Sequence, residues 1–93
     1  MKIPPKIRIR RGVYYKVVWQ EVILDDHSCM GLADPKDRII YLKLGMSNTD
    51  TIKTLIHELI HCCEFEWDQP IPHKITETLE EGIFKILKLN RWL

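Results

Sequence analysis

The sequence predicts an α+β domain: a small, mainly antiparallel sheet packed against a helix carrying His57-Glu58-Leu59-Ile60-His61, with a second helix at the C-terminal end. Three observations lead there. The first half of the chain is rich in β-branched and aromatic residues, with alternation in Ile7-Arg8-Ile9-Arg10 and density in Val13 to Ile23. The second half changes to helical periodicity over two stretches, about residues 48 to 66 and about 73 to 90. Clusters of Gly, Pro, Asp and Ser separate these pieces, and a sheet with one apolar face needs a helix to cover it.

The elements follow in order. Lys2 to Arg11 holds five basic residues. Its alternation reads as an edge strand with solvated arginines, since such charges guard an exposed edge; a basic arm for an anionic partner is the weaker reading. Gly12 marks a turn. Val13 to Leu24 reads mainly as strand, and Asp25-Asp26-His27-Ser28 as a polar turn. Cys29 to Ala33 and Arg38 to Leu44 flank Asp34-Pro35-Lys36-Asp37, whose turn chemistry predicts a hairpin. Ser47 or Asn48 is placed to cap the next helix, with Asp50 in its first turn. Asp68-Gln69-Pro70-Ile71-Pro72 ends that helix, because neither proline offers a backbone donor. The last helix should bury Ile75, Leu79, Gly82, Ile83, Ile86 and Leu87, and its early glutamates and late basic residues match its dipole.

Ninety-three residues make one domain, 1–93, and a chain this small has little stability to spare. A net charge of +1 and 29% charged residues give no polyelectrolyte signature, so nucleic acid is not expected as a partner. No stretch approaches the roughly 20 apolar residues needed to span a bilayer, and the start lacks a signal-peptide core, so a cytoplasmic protein without a membrane partner is expected. Three cysteines, two of them adjacent, are a poor disulfide framework. Cys63 is expected as a small buried hydrophobe, while Cys62 is left open: a thiolate can ligate zinc, but without a C-x-x-C pair histidine and glutamate ligation come first.

His57-Glu58-Leu59-Ile60-His61 is H-E-x-x-H. Residues four apart lie one above the other on a helix, so His57 and His61 can close on a single Zn²⁺, and Glu58 between them can act as general base toward a water that the metal activates. At 100° per residue, Ile52, Leu55, Ile56, Leu59, Ile60 and Cys63 share one broad apolar face and the histidines lie on the other side. A catalytic zinc site usually has three protein ligands. Glu64, one turn beyond His61, is better placed to support a ligand than to be one. Glu80 lies beside the apolar face of the last helix and is the preferred third ligand, with His73 the rival and Glu77 rotated farther away.

At this point the chain resembles the gluzincins in minimal single-domain form, and small phage and prokaryotic metallopeptidases are similar. The resemblance rests on Thr54-Leu55-Ile56-His57-Glu58-Leu59-Ile60-His61 with Leu79-Glu80, and it covers the chain from about Cys29 onward. It implies a zincin-like fold with His57, His61 and Glu80 binding zinc, Glu58 as base and acid, and an edge strand aligning a peptide or protein substrate. SprT-like proteins instead follow H-E-x-x-H with a third histidine, which here could only be His73. The expected activity is zinc-dependent peptide-bond hydrolysis. The alternative is a non-catalytic module in which zinc stabilises a protein-interaction domain, a role that would leave Glu58 without a task.

Overall fold

The computed structural model describes residues 2–93 and shows four strands followed by two helices. The strands are β1 (Lys6–Arg10), β2 (Val13–Gln20), β3 (Gly31–Asp34) and β4 (Ile39–Lys43); the helices are α1 (Asn48–Trp67) and α2 (His73–Leu89). Sheet order is β1-β2-β4-β3. Pairings β1–β2 and β3–β4 are antiparallel, but the central pairing of β2 with β4 is parallel, so the sheet is mixed and the expectation of a mainly antiparallel sheet needs that correction. The reason lies in burial. Ile40 and Leu42 are fully buried, and the β3–β4 hairpin docks with this more apolar strand inward and β3 at the edge. The basic strand β1 is indeed the other edge.

Local chemistry explains the ends of the elements. Strand β2 stops at Gln20, short of the expected Leu24, because Leu24 and Asp25 turn through positive φ and Asp26 Oδ1 accepts from the Ser28 amide and hydroxyl. Asp34 Oδ1 accepts from the amides of Lys36 and Asp37, closing the hairpin turn. Ser47 is the N-cap of α1, its side chain accepting from the Asp50 amide, and Asp68 ends the helix in the left-handed conformation.

Helix α1 is the middle layer. One side, with Leu55 and Cys62, packs on Val13, Tyr15, Val17, Ala33, Ile40 and Leu42 of the sheet. Another side, Ile52, Ile56 and Ile60, packs on Phe84 of α2. The single broad apolar face expected from periodicity is therefore divided between two partners. This overturns the expected burial of Cys63, which is exposed, while Cys62, whose place the sequence leaves open, is fully buried against the sheet. Burial pushes the Cys62 thiol up to about 12.

Helix α2 makes no packing contact with the sheet. It is turned differently from expectation. Thr76 and Phe84 are buried, with Glu80 and Leu87 half-buried, whereas Ile75, Leu79, Ile83 and Ile86 are exposed. No helix is long and apolar enough to cross a membrane among the described residues.

Candidate metal and catalytic site

Because α1 is flanked by the sheet on one side and α2 on the other, its remaining face forms the floor of a cleft between β3 and α2. That face carries His57 and His61. Their Nε2 atoms approach to 3.1 Å, as four-residue spacing on one helix allows. Each ring turns its other nitrogen toward a carboxylate. His57 Nδ1 lies 3.4 Å from Glu80 Oε2, and His61 Nδ1 lies 2.7 Å from Glu64 Oε1. The second oxygen of Glu64 accepts from the Ile71 amide, which ties the α1–α2 connection to the site. That amide, and then the His61 ring, hold the Glu64 carboxyl below its ordinary range.

Glu58 points to the sheet side of α1 and is only 6% exposed. Gly31, the first residue of β3, lies directly over it: a Cβ there would stand 3.2 Å from Glu58 Cγ and Oε2 and 2.6 Å from Thr54 Cγ2. Burial raises the Glu58 carboxyl above its ordinary value, opposed in part by the two histidines and by a backbone hydrogen bond from Ala33. The cleft in front has a volume of about 380 Å³, lined by Cys29, Met30, Gly31, Thr54, His57, Glu58 and Glu80.

The expected residues are thus distributed as follows. His57 and Glu58 line the cleft from α1, His61 meets His57 one turn on just outside that lining, and α2 brings Glu80 to His57. Glu64 supports His61, as its position one turn on suggested. His73 is exposed at the start of α2, its ring centre 6.2 Å from that of His57 and its Nε2 3.0 Å from Glu77 Oε1. Gly31 and Cys29 were not expected in the site. A glycine opening a strand is a weak signal, and only the docking of β3 over α1 gives it meaning. Among the described residues, no three His, Cys, Asp or Glu side chains gather closely enough to hold a metal ion by themselves.

No protein-family model, curated protein or solved structure matches the chain.

Proposed function

We propose that the chain is a zinc-dependent metallopeptidase of the gluzincin type, in which His57, His61 and Glu80 hold Zn²⁺ and Glu58 is the general base. One observation carries the reading. The Nε2 atoms of the two histidines face one another across 3.1 Å, and each ring has a carboxylate at its Nδ1. Such an arrangement repels unless a cation or shared proton lies between. Two nitrogens bound tetrahedrally at zinc distances would stand roughly 3.3 Å apart, so the donor pair suits the metal. Glu64 behind His61 is the kind of partner that orients a histidine ligand, whereas Glu80, which lies beside Nδ1 of His57, would have to turn to the Nε2 side of that ring to reach the metal.

When bound, Zn²⁺ supplies Lewis-acid polarisation of a peptide carbonyl and acidifies a water. The rest falls to the chain's own residues. Glu58, desolvated and with its basicity raised, would take the proton from that water and return it to the departing amine. Gly31 leaves room for this carboxylate to lie against the sheet. The outer edge of β3 is unpaired within the sheet and offers backbone groups to an extended peptide beside the cleft.

The test uses zinc-loaded protein with an unfolded protein or a peptide library. Glu58→Gln should retain zinc and lose hydrolysis by a factor of about 100 or more. Equal cleavage by variant and wild type would remove Glu58 from the role of base. For the third ligand, zinc titration against a competing chelator should show severe loss in Glu80→Ala and Glu80→Gln, and mild loss in His73→Ala and Glu77→Ala. Near wild-type affinity in both Glu80 variants with collapse in His73→Ala would give the position to His73 and leave Glu80 as the carboxylate that orients His57.

A further inference from the structure

The exposed stripe of α2 has a symmetry that its packing on α1 does not explain. Ile75, Leu79, Gly82, Ile86 and Leu89 follow one another at alternating steps of four and three, the seam of a two-helix pair. Its apolar members are left uncovered, at 49% exposure for Ile75, 39% for Leu79, 55% for Ile86 and 82% for Leu89. Gly82 lies at the midpoint. A glycine inside a helix is unfavourable, and among the described residues nothing outside its own turn of helix lies within 4 Å of where its Cβ would be, so internal packing gives no reason for it.

We propose that this stripe is the contact with a second copy of the chain, two α2 helices crossing antiparallel at Gly82 about a two-fold axis. In that arrangement Ile75 of one copy meets Leu89 of the other, Leu79 meets Ile86, and the missing side chains at Gly82 let the two backbones approach closely. At ~1.5 Å per residue the seam runs about 21 Å. Charge complementarity selects the antiparallel sense. Glu81 and Lys85 lie on the same flank of the stripe on either side of Gly82, so an antiparallel crossing there brings unlike charges together. Around the axis, Glu81 of each copy comes beside Lys85 of the other. Glu81 gives Oε1 to Lys53 of its own chain and keeps Oε2 for this contact. The stripe lies on a different face from Glu80 and Phe84, so pairing leaves the cleft open.

Analytical ultracentrifugation of the full chain, with and without zinc, tests the arrangement independently of any activity. Wild type should sediment as a dimer at about 50 μM in both conditions, and Ile86→Glu as a monomer. Gly82→Leu should weaken association at least roughly tenfold although it adds apolar surface, because it blocks close approach; tighter association would overturn the crossing. Glu81→Lys and Lys85→Glu should each dissociate, since like charges then meet at both pairs. A one-to-one mixture of these two variants should recover a heterodimer. Their far-ultraviolet spectra and melting curves verify folding, and this mixture decides the matter should Ile86→Glu fail to fold. A wild type that stays monomeric to several hundred μM, dimers indifferent to the charge exchange, or binding of the stripe to lipid vesicles in place of itself would each overturn the proposal.

Discussion

Gly31 shows how much a single missing side chain can hold in place. Its Cα lies so close to α1 that Gly31→Ala would drive a methyl group to 2.6 Å from Thr54 Cγ2 and 3.2 Å from the buried carboxylate of Glu58. Overpacking of this kind costs about 1–3 kcal/mol, so the variant should unfold at lower urea concentration. Thr54→Ser removes the nearest atom, and the double variant should recover part of the loss. If the two substitutions add independently, the close approach is not the cause. None of this was legible in the sequence. The H-E-x-x-H residues could be placed on one helix from spacing alone, as could the support of His61 by Glu64. Contact between Gly31 and Glu58 joins residues far apart in the chain, and no local pattern encodes it.

At the scale of elements, boundaries were legible wherever a side chain or a proline makes them. Ser47 caps α1, and Pro70 and Pro72 separate the helices. Orientation was less so. Periodicity reports how much apolar surface a helix carries, not how many neighbours divide it. Hence one expected face on α1 became two, Cys63 is exposed where burial was expected, and the stripe on α2 expected to be buried is exposed. The parallel β2–β4 pairing escaped for a similar reason, since strand order is set by the docking of a whole hairpin.

The join between α1 and the strands also carries a charge cluster that no motif announced. Tyr15 donates to Glu66 Oε2 at 2.8 Å, and Arg10 and Arg38 lie 3.1 and 3.3 Å from Oε1. The Tyr15 hydroxyl first, and then the arginines, hold the Glu66 carboxyl below its ordinary value of 4.5. A carboxyl depressed in the folded state contributes stability that is present above the unfolded value and lost as pH falls through the folded one. Glu66→Gln should therefore destabilise the protein by about 1–2 kcal/mol at pH 7. Below pH ~4.5 the difference from wild type should shrink toward zero. A gap that stays constant in urea melts from pH 7 to pH 3 would show that the ionised carboxylate is not what is being lost.

Over the whole molecule, stability is unevenly shared. The sheet and α1 close one core; α2 is held through Phe84, Leu87 and a few polar contacts to α1 alone. Metal bridging α1 and α2 through Glu80 would add a second link to the packing of Ile52, Ile56 and Ile60 on Phe84. Zinc at a hundredfold excess over Kd should add about 2.7 kcal/mol and raise the melting temperature, and chelation should reverse it. An unchanged melting curve with zinc shown to be bound would count against a link between the helices.

The attachment of α2 to α1 alone also determines how the amides should exchange with deuterium. Backbone hydrogens of β2, β4 and the centre of α1 should be released only with global unfolding, while those of α2 escape earlier, through an opening that lifts this helix and leaves the sheet intact. Glu80 travels with α2, whereas His57, Glu58 and His61 stay behind. Such an opening would move one wall of the cleft, so that whatever enters it need not thread a fixed aperture of about 380 Å³. On the proposed function, a long peptide would be laid along β3 while that wall stands open and enclosed when the helix returns.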